Sequence, residues 1–323
     1  MTAPWWTSRR IRHLQELSGA VGRQPGEPPI VSMGSTGPPH IEHPYFIRDR
    51  LVSDGAQVTR PSIDPYREPV ETFIYLCEGR IRLSMPLIVK IRPEADQTFV
   101  MAAVKACYCM NVLVEVGPNL PEGLEKYGEG VIADISMMGR TDFAAYITTR
   151  SNICRSDRPL FVRTAPALSY DWVVQATSWG VSGIYIDEDL AGEAPVEVAT
   201  SLLDRELRKK GIRNRISIVA GGSPIRGSDD IYKLVALGAD AVVMSTAVEF
   251  AVGLHDSRPE GEAIRERVEN LLLGIQRELK LLAGAAGVSN LFNSLVGNRE
   301  LLRAVELERE VRQQLGVKQA GVG

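Results

Sequence analysis

The sequence predicts an α/β protein, a (β/α)8 TIM barrel with an N-terminal extension and a helical C-terminal tail. Two observations carry this. From Leu83 to about residue 260, short runs that are apolar on both faces alternate with helical stretches, the rhythm of a parallel sheet covered by helices. At the end of that stretch, Ile216 to Thr246 reads ISIVAGGSPIRGSDDIYKLVALGADAVVMST: strand, paired glycines, helix start, second strand, small-residue turn. The last two units of a barrel commonly hold a phosphate in this way.

Strands are expected at Leu87 to Ile91, Asn111 to Val116, Gly130 to Ile135, Leu160 to Arg163, Gly183 to Asp187, Ile216 to Ala220 and Ala241 to Met244. That makes seven. Closure needs an eighth, from before Leu83 or from a weaker run. Helices are expected at Gln97 to Cys107, Asp142 to Thr149 and Tyr170 to Trp179. Another runs from Pro195 to Lys210, with cations in its last turn before Gly211, and one starts at Ser228 and stops at Gly238. After Glu260 the chain reads as purely helical, first Ala263 to Ala283 and then shorter pieces to about Leu315. Residues 1–82 differ in being rich in proline and glycine. They read as an arm or cap with one amphipathic segment near Arg9 to Leu17 and strands near Pro29 to Met33 and Thr72 to Leu76. The expected division is thus 1–82 arm, 83–260 barrel and 261–323 helical extension on the barrel.

Composition narrows the function. Hydrophobic and charged contents of 44% and 24% are ordinary for a soluble globular protein, and a net charge of -3 argues against nucleic-acid or anionic-membrane partners. Four scattered cysteines do not make a disulfide scaffold, and there is no secretory signal, so a cytoplasmic location is expected. Cys107 and Cys109 lie on a helix with thiols on different faces, which suits core or surface positions. His40 and His43 flank a proline-rich loop without a third ligand nearby, so no metal site is expected.

Several segments together resemble the FMN-binding barrel of glutamate synthase and its stand-alone relatives, over roughly Leu83 to the C-terminus. They are LSMPLIVKI, SWGVSGIYIDEDLAGEAP, LRKKGIRNRISIVAGGSPIRGSDDIYKLVALGADAVVMSTA and the tail NLLLGIQRELKLLAGAAGVSNLFNSLVGNRELL. The resemblance implies FMN, with its phosphate on Gly221, Gly222, Ser223, Ser245 and Thr246, and Arg163 in the place of the family's basic residue on the middle strand. It implies reduction of the imine of 2-oxoglutarate and ammonia to glutamate by reduced flavin. This chain departs from the pattern at several points. AVEFAVGLHDSRPEGE has no cysteine where the family carries three, so no iron–sulfur cluster is expected. The first barrel strand ends Val89-Lys90-Ile91-Arg92-Pro93, the second Val116-Gly117-Pro118-Asn119, and Glu188 to Glu193 replaces a glycine-rich loop.

Lys90 either contacts an anionic ligand or pairs with Glu115, Asp187 or Glu188. Asp187 and Glu188 either serve as acid–base groups or cap the following loop. Trp5 and Trp6 read as anchors of the arm or as an interface. Three functions stay open: an FMN-dependent oxidoreductase working with a protein partner, a barrel without flavin acting as a binding or scaffold subunit, and a cofactor-free enzyme or sensor of a phosphorylated metabolite. A homo-oligomer suits each of them.

Overall fold

The computed structural model describes residues 3–22, 24–27, 44–117, 121–139, 142–254 and 259–321. Eight parallel strands close into a barrel. They are β1 Leu87–Lys90, β2 Leu113–Glu115, β3 Val131–Asp134, β4 Ala145–Thr149, β5 Leu160–Thr164, β6 Gly183–Asp187, β7 Ser217–Gly222 and β8 Ala241–Met244, with β8 pairing back onto β1.

The eighth strand is β4, where the sequence reading puts a helix at Asp142 to Thr149. Tyr146, Ile147, Thr148 and Thr149 are aromatic or β-branched, side chains that suit a pleated surface better than a helix. Residues 145–148 are buried between β3 and β5. Strand β7 also outruns its expected end at Ala220. Gly221 and Gly222 belong to the strand, in register with Val243 and Met244.

Helices α1 Ser8–Ser18, α2 Gln97–Cys109, α3 Trp172–Ser178, α4 Val196–Lys209, α5 Ser228–Leu237, α6 Thr246–Val252 and α7 Gly261–Ala285 surround the barrel. Among the described residues, only 3-10 turns follow β2, β3 and β4. The arm and the tail supply cover elsewhere, α7 against α2 and α1 against both α6 and α7. Trp6 packs on Phe250, and Trp5 on Tyr45 and Phe46. Cys107 is buried and Cys109 exposed on the two faces of α2.

The tail is not purely helical. Leu302–Ala304 forms a strand between Leu51–Ser53 of the arm and Lys318–Gln319. Three-residue strands carry almost no sequence signal, because pairing between distant segments creates them. The strand expected near Thr72 to Leu76 is Ile74–Leu76, one half of a hairpin with Ile81–Leu83. Its Leu76, Cys77 and Leu83 join the apolar cluster inside the barrel and plug its N-terminal end. The strand expected at Pro29 to Met33, and His40, His43, His255, Pro118 and Asn119, lie outside the described residues.

Candidate functional site

Strand alternation decides which side chains enter the barrel. Ile88, Leu113, Phe161, Tyr185, Val219 and Val243 share the interior cluster. Two residues further toward the C-terminal mouth, the same inward row of β1, β2, β5 and β6 holds Lys90, Glu115, Arg163 and Asp187. The top layer of the barrel is therefore charged, at the end where barrels do their chemistry.

These charges satisfy one another. Lys90 Nζ donates to Asp187 Oδ2 and to Asp189 Oδ2, both at 2.9 Å. Arg163 donates to Glu115, and its Nε lies 3.5 Å from Asp187 Oδ2. Tyr185, one layer deeper, is flanked by Lys90 Nζ and Arg163 Cζ at 5.8 and 5.5 Å from its ring, and its hydroxyl donates to the Gly221 carbonyl at 3.3 Å. Burial alone would lower the Lys90 ammonium; Asp187 and Glu115 overcome it and hold Lys90 above its ordinary value. Burial pushes the Glu115 carboxyl up in spite of Arg163 and Lys90, and pushes the Tyr185 phenol well above its usual range.

Beside this layer lie the expected phosphate residues. Gly221 has φ 116°, and a Cβ there would come within 2.7 Å of the Val243 carbonyl, so the close approach of β7 to β8 needs glycine. A Cβ on Gly222 would stand 3.0 Å from the Asp189 carboxylate. Asp189 uses that space: its Oδ1 accepts a hydrogen bond from the Ser223 amide at 2.9 Å. An anion supplied by the chain itself thus sits on the glycine turn, with Lys90 as its countercharge. Ser245 follows β8 with its hydroxyl buried and without a hydrogen-bond partner, and Thr246 opens α6, partly exposed.

Lys90 and Arg163 therefore come together, and Gly222 and Ser223 join them through Asp189. The Lys90 pairing differs from one of the expected options: Glu188 turns away to Arg48. Asp187 also caps its loop, its Oδ1 accepting from the Asp189 amide at 3.0 Å. Arg48, from the arm, is fully buried and donates to Glu188 and Glu197, each at 2.7 Å, and to the Pro224 carbonyl at 3.3 Å. Arg226 binds Asp230 and Asp49. Sequence reasoning missed Asp189 and Arg48. Three carboxylates in six residues after β6 signalled an unusual loop, but nothing local marks an arm arginine that reaches the barrel. Among the described residues no helix is long and apolar enough to cross a membrane, and no group of three metal-ligating side chains occurs.

Residues 184–259 match the family model for the conserved region in glutamate synthase. The archaeal glutamate synthase [NADPH] of Archaeoglobus fulgidus is 38% identical, over 98% of this chain and 83% of that protein. The enzyme of the same name from Methanocaldococcus jannaschii is 28% identical over 87% of this chain and 79% of its own. That second match runs over 412 aligned positions, so the relative holds more than a hundred residues within the matched region that this 323-residue chain lacks. The bare turns after β2, β3 and β4 accord with such a shortening. Among solved structures, the flavin-binding domain of baker's yeast flavocytochrome b2 has a TM-score of 0.61 at 12% identity, over 86% of this chain and 80% of that one. A mandelate oxidase variant carrying a C4a-OH-FMN adduct has 0.59 at 16%, over 81% and 90%. Those two likenesses concern the barrel. With the identity to the Archaeoglobus protein extending over nearly the whole chain, this protein belongs to the glutamate synthase family.

Proposed function

We propose that this glutamate synthase-type barrel, built on the scaffold of FMN oxidoreductases, has exchanged its flavin site for internal ion pairs and works as a binding or scaffold subunit. The observation that carries this is Asp189, whose carboxylate holds the Ser223 amide and the Lys90 ammonium. A flavin phosphate would need that amide and would meet that carboxylate. The mouth over β1, β2, β5 and β6 is taken up by Lys90, Glu115, Arg163 and Asp187, which pair with one another. As they stand, these residues do not fit FMN, and no redox step is assigned to them. The division into residues 1–82, 83–260 and 261–323 is proposed as arm, barrel and tail of a single unit, with arm and tail available for contacts to a protein partner or a second copy.

The second reading is a flavin-dependent oxidoreductase of glutamate metabolism, after the printed names of the relatives. It is favoured by the family relation and by the buried, unpartnered Ser245 hydroxyl, a donor waiting beside the glycine turn. In it, residues 188–193 swing out and phosphate replaces Asp189 on Gly221, Gly222, Ser223, Ser245 and Thr246, with Lys90 and Arg163 released toward the ligand. A third, phosphorylated-metabolite reading needs the same displacement.

An absorbance spectrum of the purified protein, taken after excess FMN is added and unbound flavin removed, separates the readings. No retained flavin band is the expected result. A stoichiometric band overturns the flavin-free reading and establishes the second. Inorganic phosphate that raises the melting temperature without any flavin band supports the third.

A further inference from the structure

We propose, on the reading that Asp189 stands where an anion would bind, that residues 44–50 of the N-terminal arm are a latch. Arg48 holds the loop after β6 shut and so keeps Asp189 in the glycine turn; undocking of this segment opens the turn to a phosphate-type oxyanion. Two loops meet at the mouth, residues 188–193 after β6 and 223–226 after β7, and two links tie them side by side. The inner link is direct, from the Ser223 amide to Asp189 Oδ1 at 2.9 Å. The outer link joins the adjoining residue of each loop and runs through the arm. Arg48 donates to Glu188 Oε1 at 2.7 Å and to the Pro224 carbonyl at 3.3 Å.

The outer link is the firmer of the two. Arg48 is fully buried, and both its guanidinium and its amide also donate to Glu197 of α4, at 2.7 and 3.2 Å. A buried guanidinium cannot give up its carboxylates one by one without leaving a charge unpaired. It leaves only when the segment leaves as a unit, which makes the contact two-state. The rest of the segment is pinned at the same place. Asp49 Oδ1 accepts from Arg226 at 2.6 Å, and its Oδ2 accepts the Tyr45 and Phe46 amides at 3.0 and 3.2 Å. The Phe46 ring takes both guanidiniums, Arg48 at 3.9 Å and Arg226 at 5.1 Å from its centroid.

The inner link is the one a ligand can replace. The Asp189 side chain is 28% exposed, so the turn is reached from solvent, and an ion pair open to water is weak. Lys90 keeps Asp187 at 2.9 Å when Asp189 leaves. A phosphate oxygen would take over the donors that Asp189 uses, the Ser223 amide and the Lys90 ammonium, in the space that Gly222 leaves without a Cβ. With the arm docked, swinging the loop out costs the bonds of Arg48 as well, and the anion has to displace both links. With the arm undocked, it competes with Asp189 alone.

Thermal melts of the full chain with and without inorganic phosphate test the latch. Asp189→Ala is expected to gain about 2 °C or more from phosphate, and the unaltered protein nothing. Arg48→Lys keeps a cation but loses the fork that spans Glu188 and Pro224. Asp49→Asn keeps an acceptor for the Tyr45 and Phe46 amides but loses the charge facing Arg226. Both are expected to gain a phosphate shift with Asp189 still in place. Asp49→Asn leaves no buried carboxylate unpaired, so the outcome does not hang on whether Arg48→Lys folds. Hydrogen exchange in Asp49→Asn should quicken over residues 44–50 and 188–193 together and stay unchanged in α7, which general destabilisation would not produce. A shift in Asp189→Ala with none in either arm variant overturns the latch and leaves the reading of the turn intact. No shift in Asp189→Ala, or the same shift in the unaltered protein, overturns that reading and the latch with it. Faster exchange over 44–50 without 188–193 also overturns the latch.

Discussion

The two ends of the barrel are both laced with ion pairs, and they are built differently. At the N-terminal end, Asp204 of α4 is fully buried and accepts from Arg208 at 2.8 Å, Arg213 at 2.6 Å and Arg299 of the tail at 2.9 Å. Arg213 also reaches Asp240, whose second oxygen takes the Ile218 amide at 2.7 Å. Every oxygen there has a partner, and the network ties α4, the start of β7, α5 and the tail together. At the C-terminal mouth, Asp189 is a loop carboxylate reaching into a glycine turn, Ser245 has an unpartnered hydroxyl and Glu188 an unpartnered oxygen. The lower network is a rivet. The upper one closes a cradle that a different ligand set could reopen, which follows the general split of barrels into a stability face and a functional face.

The sharpest way to break the contrast is Asp204→Ala. It leaves the largely buried Arg299 without a carboxylate and Arg213 with Asp240 alone, and a loss of about 3 kcal/mol is expected from urea denaturation, since removing one partner of a buried ion pair leaves the other charge uncompensated. A loss below about 1 kcal/mol would put the two ends on the same footing.

Asp189→Ala at the mouth should be mild by comparison. Asp189 is partly exposed and Lys90 keeps Asp187, so a stability change within about 1 kcal/mol is expected. What the variant should gain is ligand binding. Inorganic phosphate is expected to raise the melting temperature of Asp189→Ala and leave the unaltered protein unchanged, as follows if the carboxylate is what fills the turn. Phosphate stabilising both alike would remove Asp189 from that role.

The pH dependence also separates the two ends, which have opposite signs. Burial would raise Asp204, but Arg213, Arg208 and Arg299 outweigh it and hold its carboxyl below the usual range. Its stabilisation is present above the ordinary carboxylate pKa and is lost as pH falls through the lowered value. Glu188 lies the other way. Raised from 4.5 to about 7, it favours the folded state when protonated, and that contribution is lost as pH rises from about 4.5 through 7. Denaturation curves at pH 5 and pH 8 should therefore converge in Glu188→Gln relative to the unaltered protein. An unchanged gap would mean that Glu188 does not titrate in that window.

Much of this was legible in the chain. The apolar runs of β1, β6 and β8 marked themselves because strands covered on both sides need continuous hydrophobic sequence, and Gly221-Gly222 followed by Ser228-Asp229-Asp230 marked the last units by their turn and helix-start chemistry. Lys90 stood out as a cation ending an apolar strand, and Arg163 through the family resemblance. Strand β4 was hidden, since its five residues are too few for periodicity to speak. The strand at Leu302–Ala304 was hidden for another reason, having no existence apart from its partner Leu51–Ser53.

By itself the sequence determined most of the alternation of strands and helices and the glycine turn, because those follow from local periodicity and residue type, and its motifs carried the family resemblance. Only the tertiary structure decided what fills the mouth. Asp189 meets Ser223 across 34 residues, and Arg48 meets Glu188 across 140. Which carboxylate takes which donor is settled by three-dimensional proximity and burial, and neither is written in any short stretch of the chain.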